Sequence, residues 1–347
     1  MFKIIYFLFL LLVSVSCSRL VNPETADVML SASVENISVI SKVPGTKADF
    51  DDPETVFRGA EPSLKHPLAV DIWFSETSGE YIDNPQGLTS MPCKTTITYT
   101  SSSPDYPNPV IDNTRIKYSR ELVGEGDAKD YKPAYCIGFY PQNKWNVAND
   151  GKTASAVIDG KTDLMFAPQI EGNWTNLFGS QIYSHFTTWL KVCVSATTPD
   201  AISAWGAIKK ISVIDHSQYK LYNSIVLNDL MDVTDGSMSY EQEGTDISFD
   251  VVPNNTGNLA LQTVIKEYGY AMCSPSEKYN LRIETADGKI KDILIDLKDI
   301  QGNAIASADD ARGKMFVITL YFNPFNVVEG VCTLNSWNNE NENLELQ

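Results

Sequence analysis

Histidine is scarce in this chain, and the sequence motifs of most enzymes are missing. Only three histidines occur among 347 residues. His66 and His185 have no catalytic partner nearby in the sequence, and His216 directly follows Asp215, which would place the two side chains on opposite faces of a strand. No nucleophile elbow, zinc-protease motif, phosphate-binding loop or dinucleotide-binding glycine pattern is present. We therefore predict no catalytic site, and we interpret His185 as a packed residue at a sheet edge.

Patterns that bind metals or cofactors are equally sparse. No two cysteines are separated by two residues, which argues against a zinc knuckle and a thioredoxin-type redox pair. Asp287, Asp292, Asp296 and Asp299 lie close together in the sequence, but they lack the dense oxygen spacing of calcium loops. We interpret them as solvated residues of strands and turns. The sequence predicts no metal and no cofactor.

Cysteine is present in six copies, the first of which, Cys17, belongs to the N-terminal segment. The other five are odd in number, lie about 40 or more residues apart, and mostly fall inside apolar runs. We predict that they are small buried hydrophobic residues, although one disulfide remains open in an oxidising compartment. These residues are Cys93, Cys136, Cys193, Cys273 and Cys332.

Positive charge is in short supply. The chain has 27 lysines and arginines against 44 aspartates and glutamates, for a formal charge of −17, and it contains no basic run. This balance argues against nucleic acids and anionic membrane surfaces as partners. It suits a soluble surface that faces the outside of a cell.

Long apolar runs are confined to residues 1–17. Lys3 precedes an apolar stretch from Ile4 to Val13 that is too short to span a membrane well, which is typical of a secretory signal. Ser14 to Cys17 resembles a bacterial lipobox, with Ser14 at the position where leucine is usual. We predict that Cys17 becomes the acylated N-terminus and anchors the precursor to the outer membrane. An ordinary signal peptide cleaved nearby is the alternative.

Helical periodicity is rare, whereas alternation with a period of two recurs every 8–15 residues or so. Short helices are predicted only at 198–206 and 259–268. The clearest hairpin joins two alternating runs through Asp287-Gly288, the sequence of a two-residue turn. Short strands without interleaved helices predict a mostly β protein built from β-sandwiches.

The length of the chain favours two domains after the signal peptide, because one hydrophobic core rarely organises more than about 250–300 residues. We predict a lipoprotein signal at 1–17, an N-terminal propeptide and first strand at 18–47, a first sandwich at 48–178 and a second at 179–347. The Gly- and Asn-containing stretch 168–180 marks the expected junction.

Several short motifs, in order, resemble the fimbrillin-like proteins of Bacteroidales bacteria. The first is a strand that ends with an aromatic residue followed by tyrosine and proline. The second is a segment that closes the first domain, and the third is a histidine-containing strand that opens the second domain. The closing strands of the chain complete the set. Tyr183 departs from this pattern, since the family usually has phenylalanine there. The motifs are Cys136 to Pro141, Thr162 to Ala167, Ser184 to Phe186 with Leu190 to Val192, and Met315 to Tyr321 with Trp337.

This resemblance implies two tandem Greek-key, transthyretin-like β-sandwich domains and assembly into a fimbria. In the family, an N-terminal strand completes the first sheet until an Arg- or Lys-specific protease removes it. A neighbouring subunit's strand then takes its place by donor-strand exchange, a form of β-augmentation. The candidate removable strand lies within 28–43, and its alternating positions are Val28, Leu30, Ala32 and Val34. The candidate cleavage positions are Lys47 and, as second choice, Arg58.

The position of the subunit in a fibre stays open. The tail from Asn338 to Gln347 is short and polar, so it would need residues 315–334 to serve as a donor strand, and stalk, tip and anchor roles are all considered. The expected partners are other fimbrial subunits, the outer membrane, and host or bacterial surface ligands. The alternative is a non-polymerising surface lipoprotein that binds glycans. A glycosidase is a third alternative, but the sequence does not identify the pair of catalytic carboxylates that such an enzyme needs.

Overall fold

The computed structural model describes residues 31–34, 68–82, 93–100, 108–111, 119–125, 129–176, 178, 180–231, 237–251 and 258–335. These residues form mostly β strands arranged in several antiparallel sheets, which confirms the predicted fold class and is consistent with a β-sandwich. Within the described residues, no helix is long and apolar enough to cross a membrane.

The N-terminal half consists of strands of two to eight residues. In chain order they are β1 (Ser31–Val34), β2 (Leu68–Ser75), β3 (Cys93–Thr100), β4 (Asn108–Ile111), β5 (Leu122–Val123), β6 (Asp130–Tyr131), β7 (Ala134–Tyr140), β8 (Trp145–Val147), β9 (Ala154–Val157), β10 (Met165–Gly172) and β11 (Ser180–His185).

The C-terminal half adds one α-helix, one short 3-10 turn and twelve strands. They are β12 (Thr188–Ala196), α1 (Pro199–Trp205), β13 (Ala207–Ile214), β14 (Tyr222–Leu227), β15 (Met238–Glu243), β16 (Ile247–Ser248), β17 (Asp250–Val251), β18 (Leu259–Ala260), β19 (Lys266–Cys273), β20 (Lys278–Thr285), β21 (Ile290–Asp296), the 3-10 turn Asp309–Ala311, β22 (Met315–Phe322) and β23 (Val328–Asn335).

A seven-stranded sheet with the order β1-β11-β10-β7-β2-β3-β4 organises the N-terminal half. Its central strands are apolar on both faces, because β2 and β7 each place successive side chains in different clusters. Trp73 and Ile137 belong to a large hydrophobic cluster, whereas Phe74 and Cys136 belong to a smaller one on the opposite face. A sheet with two buried faces explains why these strands read as nearly continuous apolar runs.

Two further sheets form a sandwich in the C-terminal half. One has the order β17-β19-β12-β22-β23, and the other has the order β16-β13-β20-β21 with β18 also paired to β13. Val192 and Ile318 of the first sheet and Ile211 and Leu281 of the second are fully buried in the same cluster. Burying each such side chain contributes about 1.5–3 kcal/mol to folding, so this interior is a main source of stability.

A fourth sheet, β15-β14-β9-β8, joins strands from both sides of position 178. Strand β11, which follows that position, pairs with β10, which precedes it. The large hydrophobic cluster likewise contains residues of both halves, from Trp73 to Cys332. Sheets and core are therefore continuous across position 178, and the division of the chain into two domains there stays a prediction.

The predicted local elements have mixed outcomes. The helix predicted at 198–206 is confirmed as α1, with Thr198 as its N-cap and Gly206 as its C-cap. The helix predicted at 259–268 is wrong, because these residues form β18, a connection and the start of β19. Three consecutive β-branched residues, Thr263 to Ile265, lie in this stretch and favour extended backbone.

The hairpin predicted around Asp287-Gly288 is confirmed, but its turn is longer than expected. The backbone N–H of Thr285 donates to the carbonyl of Lys289 at 3.0 Å, which leaves three residues in the turn. Gly288 adopts a φ of 89°, a left-handed conformation that favours glycine. A three-residue turn with glycine in this position is a common alternative to the two-residue form.

Cys136, Cys193, Cys273 and Cys332 are buried free thiols, as predicted for small hydrophobic residues. Burial raises the pKa of Cys193 and of Cys332 to about 11. A thiol with so high a pKa is almost entirely protonated at neutral pH and reacts slowly. No disulfide joins these four residues, and the side chain of Cys93 lies outside the described part of the chain.

Candidate strand-exchange edge

The N-terminal strand lies at one edge of the seven-stranded sheet. Strand β1 runs parallel to β11, in a register that pairs Ser31 with Ser180 and Val34 with Tyr183. Of the four alternating positions in the predicted strand, Ala32 and Val34 belong to β1, whereas Val28 and Leu30 lie outside the described residues. The backbone arrangement thus places the described part of the predicted strand at a sheet edge, where β11 is its one neighbour among the described residues.

Strand β11, the one that β1 contacts, is fixed to the sheet by a buried polar pair. The hydroxyl of Tyr183 donates to Oε1 of Gln181 at 3.1 Å, and Nε2 of Gln181 donates to Sγ of Cys136 at 3.6 Å. Gly138 makes room for this arrangement, because a Cβ atom there would lie 2.1 Å from the Tyr183 hydroxyl oxygen. Because residue 183 is tyrosine rather than phenylalanine, its hydroxyl group donates a hydrogen bond to the buried side chain of Gln181.

This edge borders a continuous apolar face. The smaller hydrophobic cluster covers one face of the seven-stranded sheet and extends to the near ends of β12, β19 and β22. If β1 left, β11 would expose a row of backbone donors and acceptors next to this face, which is the geometry that an incoming strand recognises. The buried members of the cluster are Val70, Ile72, Phe74, Ala134, Cys136, Tyr140, Met165, Ala167, Phe178, Tyr183, Trp189, Met272 and Met315.

A buried, hydrogen-bonded group of side chains lies where β11 ends. Asp163 is fully buried; its Oδ2 lies 2.5 Å from Nδ1 of His185, and its Oδ1 accepts a hydrogen bond from Thr187 at 2.9 Å. His185 is buried, as predicted, but as the partner of a carboxylate rather than as an isolated packed ring. Since a buried carboxylate needs hydrogen-bond partners, these contacts hold the chain at 185–187 in one conformation.

The same stretch is also held from the C-terminal side, and we call residues 185–189 the crossing. The hydroxyl of Thr188 donates to the carbonyl of Ala311 at 2.8 Å, and the N–H of Trp189 donates to the carbonyl of Lys314 at 3.0 Å. The Tyr240 hydroxyl donates to the carbonyl of Phe186 at 2.7 Å, and burial raises the pKa of Tyr240. The crossing is therefore hydrogen-bonded to the segment before β10, to the segment before β22 and to β15.

The aromatic-Tyr-Pro motif forms a supported turn near the crossing. The Tyr140–Pro141 peptide bond is cis, and Asn143 adopts a φ of 61°. The N–H of Asn143 donates to Oδ2 of buried Asp71 at 2.8 Å, and Nε1 of Trp145 donates to the carbonyl of Tyr140 at 2.9 Å. The motif therefore has a packing role at the end of β7.

The other acidic residues considered from the sequence make ion pairs and turns. Asp292 forms a bidentate contact with Arg282 at 2.8–2.9 Å, and Asp296 pairs with Lys278 at 2.8 Å. Asp215 accepts from the N–H of Leu221 at 3.0 Å, which lowers its pKa. Within the described ranges, no group of three or more metal-ligating side chains occurs.

The surface aromatic residues of the N-terminal half form a packed group. The guanidinium of Arg120 lies 4.2 Å from the ring centre of Trp174, and the Tyr131 ring lies 6.5 Å from the same ring. Trp174 also packs against the smaller hydrophobic cluster. Because Arg120 occupies one face of the indole, this group does not present the bare aromatic platform that a glycan would stack on.

Three of the predicted site residues, Cys17, Lys47 and Arg58, lie outside the described residues. Both cleavage candidates fall in the sequence between the end of β1 and the start of β2. Sequence reasoning missed Asp163, Gln181 and Gly138. Asp163 and His185 each belong to a motif that the sequence analysis singled out. Nothing in the sequence indicates that the two side chains contact each other.

Comparisons with known proteins give structural similarity only. No protein-family model matches the chain, and no curated protein matches it. A candidate cell adhesion protein from Bacteroides uniformis is 14% identical, with a TM-score of 0.49 over 78% of this chain and 92% of that one. A candidate polysaccharide-binding protein from Bacteroides thetaiotaomicron is 8% identical, with a TM-score of 0.42 over 78% and 89%. A fimbrial assembly protein from Parabacteroides distasonis is 8% identical, with a TM-score of 0.37 over 78% and 91%.

Proposed function

We propose that this protein is a structural or adhesive subunit of a bacterial surface fimbria, exported as a lipoprotein and assembled by strand exchange at the β11 edge. The lipid on Cys17 would hold the precursor at the outer membrane. A protease acting at Lys47 or Arg58 would then release β1, and a strand from a neighbouring subunit would occupy the vacated edge. The protein would act without a catalytic site or a cofactor.

The observation that carries this proposal is the pairing of β1 with β11. Strand β1 spans four residues, and it pairs with a strand about 150 positions later in the sequence. Both candidate cleavage positions lie between β1 and β2, so a cut at either would separate β1 from the rest of the sheet. Edge strands are held by one set of backbone bonds, which makes them the strands most easily exchanged.

Limited proteolysis of the purified, signal-processed protein tests the proposal. We expect a trypsin-like protease at limiting dose to cut after Lys47 or Arg58. Mass spectrometry identifies the cut, and size-exclusion chromatography should then show oligomers that survive SDS as a ladder. A cleaved chain that stays monomeric, or a chain cut elsewhere first, would refute strand exchange at this edge.

A matched pair of variants separates the two candidate sites. The K47Q and R58Q variants each remove one cleavage position, and the double variant removes both. We expect the double variant to stay uncut at this segment and to form no ladder, whereas one single variant should behave like the native chain. A double variant that still assembles would show that release of β1 is unnecessary.

A further inference from the structure

A thiol and a side-chain amide are in contact inside the seven-stranded sheet. Sγ of Cys136 lies 3.6 Å from Nε2 of Gln181, and both residues are 0% exposed. Cys136 belongs to β7 and Gln181 to β11, and β10 lies between these strands. The glutamine side chain therefore crosses one strand to reach the thiol. A thiol sulfur is a weak hydrogen-bond acceptor, so hydrogen bonding alone gives a poor account of a glutamine buried here.

The oxygen of the same amide is held by a hydrogen-bond donor. The hydroxyl of Tyr183 donates to Oε1 of Gln181 at 3.1 Å, and Tyr183 is 1% exposed. Such a bond polarises the carbonyl group and stabilises the negative charge that its oxygen acquires when a nucleophile adds to the carbon. The amide thus contacts a sulfur nucleophile through its nitrogen and a hydrogen-bond donor through its oxygen.

The backbone of β7 holds these groups close together. A Cβ atom at Gly138 would lie 2.1 Å from the Tyr183 hydroxyl oxygen and 3.0 Å from Oε1 of Gln181, so both oxygens lie directly against the strand. Cys136 precedes Gly138 by two positions and therefore faces the same side of the sheet. Reacting groups that a protein holds in contact behave as an intramolecular pair, with a far higher effective concentration than the free groups would have.

We propose that Cys136 and Gln181 form an internal thioester. The sulfur bonds to Cδ of Gln181, the Cδ–Nε2 bond breaks, and the nitrogen leaves as ammonia together with the thiol proton. The Tyr183 hydroxyl stabilises the oxyanion of the tetrahedral intermediate. No oxidant or reductant is needed, because an amide is exchanged for a thioester at the same oxidation level. In the structure the thiol and the amide are separate groups, which is the state that precedes this bond.

Burial has two opposite effects on this chemistry. It raises the pKa of the Cys136 thiol well above its usual range, so the reactive thiolate is rare and attack is slow. Burial also excludes water, which would otherwise hydrolyse a thioester. A slow reaction is sufficient, because each chain reacts only once and the product then persists in a dry interior.

The intact mass of the full signal-processed chain, measured before any protease treatment, tests the proposal. We expect a mass about 17 Da below the value calculated for the processed sequence, which is the mass of the lost ammonia. A thioester is an acyl donor to primary amines, so methylamine in denaturant should add about 31 Da and free one additional thiol for alkylation. Peptide mapping should place the methylamine on Gln181 and the freed thiol at Cys136.

Three variants identify the groups that react. C136A removes the nucleophile and should have its full calculated mass, with no uptake of methylamine. C193A is the matched control, since Cys193 is also a buried thiol, and it should lose ammonia like the native chain. Y183F keeps the ring but removes the donor, and it should slow thioester formation after refolding by about 10²-fold or more. Phenylalanine is the usual residue here in the family that the sequence resembles, so we expect this variant to fold.

Two results would overturn the inference. One is a native chain at its full calculated mass, and the other is a loss of ammonia that persists in C136A or that methylamine does not reverse at Gln181. A Y183F chain that forms the thioester as fast as the native chain would show that the tyrosine hydroxyl has no part in the reaction. Because the mass is measured before cleavage, none of these results depends on strand exchange, and the proposed function stands or falls separately.

Discussion

At the scale of single residues, the buried carboxylate of Asp163 is the position at which a small change should matter most. It bonds both His185 and Thr187, and all three side chains are buried. Removing one member of a buried hydrogen-bonded group leaves its partners unsatisfied, whereas an exposed ion pair contributes little. The same chemical contact therefore has very different energetic weight at the crossing and on the surface.

We expect D163A to lower the free energy of unfolding by about 3 kcal/mol or more. The control is D292A, which breaks the bidentate pair with Arg282 on a partly exposed strand face and should cost about 1 kcal/mol or less. Urea denaturation followed by tryptophan fluorescence measures both. Equal losses for the two variants would show that Asp163 contributes no more than a surface residue.

Single residues also show which features of the structure could be predicted from the sequence and which could not. Burial of His185 and of the four described cysteines could be predicted, because each lies in a short apolar or alternating segment. The partner of His185 could not, since Asp163 lies 22 positions away and only the pairing of β10 with β11 brings the two together. Contacts that depend on strand register leave no local pattern.

At the scale of elements, strand β11 links β1 to the rest of the sheet. Its fit depends on Gly138 of β7, which faces the Tyr183 ring. Tyr183 is 1% exposed, so its ring has no free space into which to move. A larger residue at 138 should therefore push β11 away from the sheet.

We expect G138A to lower the free energy of unfolding by about 1–3 kcal/mol, the usual cost of overpacking a buried site. The S184A variant on β11 is the control, since Ser184 is only half-buried, and it should change stability by about 0.5 kcal/mol or less. Denaturant titration of both variants measures the difference. A neutral G138A would mean that the Tyr183 ring can shift without cost.

Elements were predictable to different degrees from the sequence. Strands β2, β7 and β20 were predicted from alternating runs and β22 from a nearly continuous apolar run, and the structure has a strand at each of these places. The short strands β8 and β9 were missed within a polar stretch, since they span three and four residues and pack on a neighbouring sheet. The segment 259–268 was mistaken for a helix because a short apolar run fits either period.

At the scale of the whole molecule, the large hydrophobic cluster contains residues from both sides of the predicted domain boundary. The large cluster joins residues of the seven-stranded sheet to both sheets of the C-terminal sandwich, and the crossing is bonded on both sides. Two halves that share so much buried surface should lose their structure together, as a cooperative unit does.

We therefore expect a single thermal unfolding transition for the intact chain. In differential scanning calorimetry, the calorimetric enthalpy should equal the van't Hoff enthalpy, because one cooperative event accounts for all the heat. Two resolved transitions, or a calorimetric enthalpy well above the van't Hoff value, would instead support two independent domains that meet near position 178.

The connection between β1 and β2 has a thermodynamic consequence of its own. Because residues 35–67 join β1 to β2 in one chain, β1 binds the β11 edge as an intramolecular ligand, whose occupancy does not depend on protein concentration. After a cut, the occupancy of the edge by the released segment would depend on its concentration in solution. A single cut between β1 and β2 would thus favour an open β11 edge, although the contacts between β1 and β11 themselves would stay the same. If the proposed cleavage occurs, chain connectivity, rather than any change in the contacts of β1, would decide whether the edge is filled.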